Sequence, residues 1–120
     1  MLKIFFNKET KKMLYALNEV DALEGFVELK AGAVDAALEK HVPVVECKGN
    51  NVNVQVGSVE HPMLDVHYIV FVLLETNKGV QVRYLNPGEK PCATFALTEG
   101  EKPLAVYEYC NLHGLWKKEL

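Results

Sequence analysis

The sequence predicts an all-β fold, an antiparallel sandwich or barrel, and three observations carry that expectation. Asn51 to Val56 alternates, with Val52, Val54 and Val56 on one face and Asn51, Asn53 and Gln55 on the other, the pattern of a half-buried strand. Tyr68 to Glu75 (YIVFVLLE) is a strand-sized run of β-branched and aromatic residues and reads as a central strand. Short strand patterns recur at near-regular spacing between turn signals, as they do in sandwiches and barrels.

The remaining elements follow in chain order. Lys12 to Asn18 and Gly25 to Lys30 read as two short strands. Ala33 to Lys40 (AVDAALEK) has helical propensity but is brief, and Pro43 stands close behind it. Thr76-Asn77-Lys78-Gly79 is a turn leading into Val80 to Leu85, so a hairpin is expected there. Asn86 to Pro91 (NPGEKP) is a second turn, and Cys92 to Thr98 and Leu104 to Cys110 give two more strands.

Composition narrows the function classes. A chain of 120 residues that is 49% hydrophobic fits one compact domain with a short appendage, and it can fold without disulfide staples. Net charge is −3 with both signs dispersed and no dense Lys/Arg block, so neither nucleic acid nor an anionic membrane is an expected partner. No apolar run reaches membrane-spanning length. The stretch Met1 to Lys8 lacks the long apolar core and cleavage site of a secretory signal, so a cytoplasmic protein is expected. Three cysteines, Cys47, Cys92 and Cys110, suit a thiol or metal role better than a disulfide framework.

The chemistry concentrates in the histidines, His41, His61, His67 and His113, and in Cys110. Cys110 and His113 form a Cys-x-x-His step just after a strand, a turn that can aim sulfur and imidazole at one point. His61 and His67 bracket the short loop Pro62 to Val66, which enters the strongest strand. His41 is followed by Val42 and Pro43, which stiffens the backbone there. Loops on a rigid sandwich are common places for ligands. Structural zinc takes four ligands, so a fifth is surplus. Blue copper takes two histidines, a cysteine and a weak axial methionine, and no methionine follows His113. A cupredoxin-like electron-transfer protein is therefore the alternative reading. Iron accepts higher coordination, and four nitrogens in a plane with sulfur below leave one open face.

Three segments together resemble a known family. Glu39-Lys40-His41-Val42-Pro43, His61-Pro62-Met63 through His67-Tyr68-Ile69, and Tyr109 to Lys117 (YCNLHGLWK) are similar to the superoxide reductases, also called desulfoferrodoxins and neelaredoxins. The likeness runs from about Val34 to the C-terminus. It implies an immunoglobulin-like antiparallel β-sandwich holding one mononuclear non-haem iron (Fe2+/Fe3+) per chain. The implied ligands are His41, His61, His67 and His113 around the equator and Cys110 on the axis. The implied reaction is one-electron reduction of superoxide to hydrogen peroxide, with electrons from a small donor such as rubredoxin and a homodimeric or homotetrameric assembly. By motif position Lys40 would attract superoxide and help organise proton delivery, and Glu39 would take the open iron position in the ferric state.

The N-terminal third departs from the longest family members, which carry a desulforedoxin-like domain whose four cysteines hold a second iron. Here no cysteine precedes Cys47, and Asn7 and Thr10 fall roughly where a Cys-x-x-Cys pair would stand. The expected organisation is a degenerate, metal-free desulforedoxin-like segment over 1–33 and the iron-binding sandwich over 34–120. Cys47 and Cys92 are expected to be strand thiols without chemistry, Met63 a loop filler, and Trp116 a core residue that can pack near the imidazoles.

Overall fold

A computed structural model describes residues 2–120, Met1 alone falling outside the described residues. The chain forms two compact units, the first ending at Lys30 and the second running Ala31–Leu120.

The first unit is a small antiparallel sheet of β1 (Ile4–Phe6), β2 (Met13–Tyr15) and β3 (Val27–Leu29), in the order β2-β1-β3. Hydrogen bonds close the β1–β2 turn. The Asn7 Oδ1 accepts the backbone N–H groups of Glu9 and Thr10 at 2.9 and 3.0 Å, and the Lys11 N–H reaches the Asn7 carbonyl at 2.8 Å. This is the local side-chain turn that asparagine favours.

The second unit is an immunoglobulin-like sandwich. Its elements are α1 (Leu38–His41), β4 (Pro43–Lys48), β5 (Asn51–Val56), β6 (Ile69–Thr76), β7 (Gly79–Tyr84), β8 (Cys92–Ala96), β9 (Pro103–Cys110) and β10 (Gly114–Glu119). One antiparallel sheet has the order β10-β9-β6-β7 and the other β4-β5-β8. Val52, Val54 and Val56 of β5 meet Ile69, Val72 and Leu74 of β6, Phe95 of β8, and Val106 and Cys110 of β9 in one core. The alternation read in β5 thus supplies one inner face, and the apolar run of β6 lies at the centre of the other sheet.

Several elements differ from the sequence expectation. The helix is not Ala33 to Lys40 but the single turn Leu38–His41, and Ala37 at its N-terminus offers no side-chain cap. A turn of four residues stopped by Pro43 cannot recover the cost of helix nucleation, so the stretch before it stays irregular. The strands β1 and β10 add to those expected, β4 gives bounds to the strand expected around Cys47, and the N-terminal strands are shorter than expected, at three residues each.

The register places both sheets' working ends together. Pro43 at the start of β4 pairs with Val56 at the end of β5. Ile69 at the start of β6 pairs with Cys110 at the end of β9, and Cys110 pairs in turn with Gly114 at the start of β10. All five candidate ligands therefore lie on or just beyond strand ends at one end of the sandwich. A register shift between Ile69 and Phe71 leaves Val70 as an extra residue at that same end, a bulge of the kind that re-aims side chains beside sites.

Candidate metal centre

His41 ends α1 and is 2% exposed; His61 follows β5 and is 1% exposed; Cys110 closes β9 and is fully buried. His67 precedes β6 and His113 lies in the turn before β10, both half-buried. One ligand atom from each of the five falls within 4.8 Å of every other. The four imidazoles close a ring of neighbours in the order 41, 61, 67, 113, with centroid separations of 4.8, 4.7, 5.1 and 4.9 Å and interplanar angles of 76°, 83°, 76° and 89°.

The hydrogen bonds decide which nitrogens face inward. His41 Nδ1 lies 2.7 Å from the Ala37 carbonyl, and His61 Nδ1 lies 2.7 Å from the Pro62 carbonyl. A carbonyl only accepts, so each Nδ1 carries the proton and each Nε2 keeps a lone pair. These two Nε2 atoms face each other at 3.3 Å, and His41 Nε2 stands 3.1 Å from His113 Nδ1. His67 Nε2 is buried with no partner. Lone pairs converging without protons repel, and a cation between them removes the conflict. Ligands at right angles about 2.1 Å from a shared ion stand about 3 Å apart, which matches the spacing of these nitrogens. The residues present thus fit a metal, through Nε2 of three histidines and Nδ1 of His113, with the Cys110 Sγ 3.8 Å from that Nδ1.

The electrostatics agree. Burial lowers His41 and His67 from the usual imidazole value and takes His61 down to about 4, so all three are neutral imidazoles near pH 7, the form that can bind a metal. The Lys40 ammonium contributes to the lowering of His41 and His67, which puts its positive charge in reach of the centre. Burial raises the Cys110 thiol, while the backbone N–H groups of Leu112 and His113 pull it the other way by stabilising the thiolate. A bound cation would complete the deprotonation.

Surrounding contacts hold this arrangement. The Trp116 ring sits 5.0 Å from His41, and its indole N–H donates to the His113 carbonyl at 3.0 Å, so this residue packs directly against the centre. Gly57, at φ 79°, lets the chain after β5 pass under α1: a Cβ there would lie 2.6 Å from the Glu39 carbonyl oxygen and 2.7 Å from the Lys40 carbonyl carbon. Glu39 and Lys40 are exposed on the helical turn that delivers His41. Met63 is half-buried, and its sulfur accepts the Ile69 N–H. Cys47 and Cys92 are exposed and stand apart from the cluster.

Sequence reasoning missed Glu108. It is fully buried, neither carboxylate oxygen has a hydrogen-bond partner, and burial raises its carboxyl to about 9. Its ionised form is close enough to raise the Cys110 thiol further. The signal was strand parity, because Val106, Glu108 and Cys110 share one face of β9 and the outer two are core residues.

Residues 33–119 match the family described as Desulfoferrodoxin. A desulfoferrodoxin of Syntrophotalea carbinolica is 50% identical over 91 residues, which is 76% of this chain and 71% of that protein. The superoxide reductase of Treponema pallidum superposes with a TM-score of 0.83 at 41% identity, covering 99% of each chain. The one-iron superoxide reductase of Giardia intestinalis gives a TM-score of 0.58 at 36% identity, covering 68% of this chain and 99% of that one.

Proposed function

The chain belongs to the desulfoferrodoxin family, and on that premise we propose that it is a superoxide reductase, converting superoxide to hydrogen peroxide at one iron held by His41, His61, His67, His113 and Cys110. The observation that carries the proposal is the closed ring of four imidazoles with one cysteine sulfur, a ligand atom of each within 4.8 Å of every other. Five donors exceed the four of structural zinc, and four imidazoles exceed the two of blue copper.

A redox-active iron in this donor set would supply the single electron that superoxide needs. The protein's own groups set the conditions for that transfer. The carbonyls of Ala37 and Pro62 fix the tautomers of His41 and His61 and so keep their lone pairs turned to the metal. The N–H groups of Leu112 and His113 stabilise the Cys110 thiolate. Lys40 draws the superoxide anion toward the centre and organises the delivery of protons to its oxygens. Glu39, exposed on the same turn, would be the carboxylate that can hold the ferric form of such an iron.

On the family's pattern we also propose a small electron donor such as rubredoxin, a homodimer or homotetramer, and a cytoplasmic setting; no helix among the described residues is long and apolar enough to cross a membrane. The unit ending at Lys30 is a metal-free remnant of a desulforedoxin-like domain, and the Asn7 side-chain turn closes the loop where cysteines would hold iron. The test is metal analysis with a visible spectrum. Mildly oxidised protein prepared without oxygen should hold about one iron per chain and show a thiolate-to-ferric band. Copper, no metal, or two irons per chain would contradict the proposal.

A further inference from the structure

On the reading that the five-residue cluster holds iron, we propose that Asn111 is a positioning residue for the centre: its side-chain amide fixes the backbone carrying His67 to the turn carrying Cys110 and His113. Asn111 is the first residue beyond β9. Its Oδ1 accepts the Tyr68 N–H at 2.9 Å, its Nδ2 donates to the Val66 carbonyl at 3.0 Å, and its own N–H reaches the Tyr68 carbonyl at 3.2 Å. The amide therefore grips both peptide groups that flank His67. A primary amide is suited to this because it offers a donor and an acceptor in one plane, whereas a carboxylate would set an acceptor against the Val66 carbonyl.

His67 needs the grip more than His41 and His61 do. His41 and His61 are each anchored through Nδ1 to a backbone carbonyl, but among the described residues no hydrogen bond holds the His67 ring. The backbone bonds between Leu64 and His67 close a tight turn within their own loop and do not tie it to the other ligands. Leu64 is 61% exposed and Val66 73% exposed, so the loop's apolar anchor is Met63, which packs against the core four residues before His67 and leaves the stretch next to the imidazole without apolar cover. Asn111 supplies the bonds that cross from the axial cysteine's turn to the residues on each side of His67.

The same device occurs at the other end of the β6–β9 ladder, away from the metal ligands. Asn77, the first residue beyond β6, accepts the Lys102 N–H at 2.7 Å, donates to the Gly100 carbonyl at 3.1 Å, and sends its own N–H to the Lys102 carbonyl at 3.1 Å. It grips the peptides flanking Glu101 as Asn111 grips those flanking His67. Asn77→Ala is therefore a control matched bond for bond, and it separates a role in the ladder from a role in the centre.

The experiment compares Asn111→Ala, Asn111→Asp and Asn77→Ala with the parent protein, reading iron affinity by chelator competition, the energy of the visible band, and the melting midpoint of the metal-free form. Both Asn111 variants should hold iron about 10-fold or more weakly, the usual size of an outer-shell loss, and shift the band. Asn77→Ala should lower the midpoint yet keep parental iron affinity and band. Parental iron binding and an unshifted band in the Asn111 variants would overturn the proposal. So would an equal loss of iron in Asn77→Ala, or failure of both Asn111 variants to fold while Asn77→Ala folds, since each would assign the amide to the ladder. If Asn111→Ala alone does not fold, Asn111→Asp decides, because it keeps the size and the acceptor for Tyr68. A parent protein that binds no iron would instead overturn the functional reading.

Discussion

Glu108→Gln should stabilise the metal-free protein by an amount that grows with pH. Glu108 pairs with Trp116 on one side and Val72 on the other, is fully buried, and finds no hydrogen-bond partner for its carboxylate. Desolvation raises its carboxyl from 4.5 to about 9. Between those values the folded chain keeps the proton and the unfolded chain releases it, so the unfolded state binds fewer protons and stability falls as pH rises. At about 1.4 kcal/mol per pH unit, the 2.5 units between 4.5 and pH 7 make the buried carboxyl cost about 3 kcal/mol at pH 7, against about 1 kcal/mol at pH 5. An amide of the same shape never ionises, so the stability gap between variant and parent should widen by about 2 kcal/mol from pH 5 to pH 7. Any fixed cost of burying the amide cancels in that difference, and so does the titration of the histidines, which both proteins share. Urea unfolding of the two metal-free proteins at matched pH reads it directly. Parallel stability curves across this range would refute the reasoning, because the carboxyl would then titrate alike in the folded and unfolded chains.

Three further outcomes are expected. Lys40→Ala should leave iron content unchanged while slowing the reaction of the reduced protein with superoxide by about 10-fold at low salt, with the difference shrinking as salt is added; an unchanged bimolecular rate at low salt would exclude steering by Lys40. Gly57→Ala should destabilise the fold by more than about 1 kcal/mol, the order of the left-handed backbone cost alone, because the added Cβ also meets the backbone of Glu39 and Lys40; a thermal melt shows it, and weaker iron binding should accompany it because His41 rides on the same turn. In a Glu108→Gln background the metal-free protein should lose about 3 kcal/mol through His61 as pH falls from 6.5 to about 4, since the folded imidazole resists a proton that the unfolded one accepts. His41 and His67 shift in the same direction and add to the loss, so a flat stability profile across that range would count against neutral, buried ligands.

What the sequence revealed depended on whether the signal was local. The parity of β5 and the apolar run of β6 are local, and both stand in the structure as inner faces of the sandwich. The bounds of β4 and the whole of β10 are hidden in the sequence because each opens on a residue that reads as punctuation, Pro43 and Gly114, and each is shaped by pairing across the sheet. The helix is shorter than its sequence suggests because alanine-rich propensity is a weak prior in a segment with no cap and a proline close behind. The histidines and Cys110 stood out as scarce residues beside strand ends, and the structure gathers them. The choice of nitrogen on each ring was not legible, because it rests on carbonyls placed by loops, Ala37 for His41 and Pro62 for His61. In the sequence Asn111 is only a spacer between Cys110 and His113; its grip on Val66 and Tyr68 spans more than forty residues of chain and is visible only once β6 and β9 are paired.

The most direct test of the central claim is the product balance when reduced, iron-loaded protein is mixed with superoxide without oxygen present. A reductase using one electron from the metal should yield one hydrogen peroxide for each superoxide consumed and release no dioxygen. Half as much peroxide with matching dioxygen would show dismutation, and no consumption beyond the spontaneous rate would show that the cluster of four histidines and Cys110 serves some other chemistry.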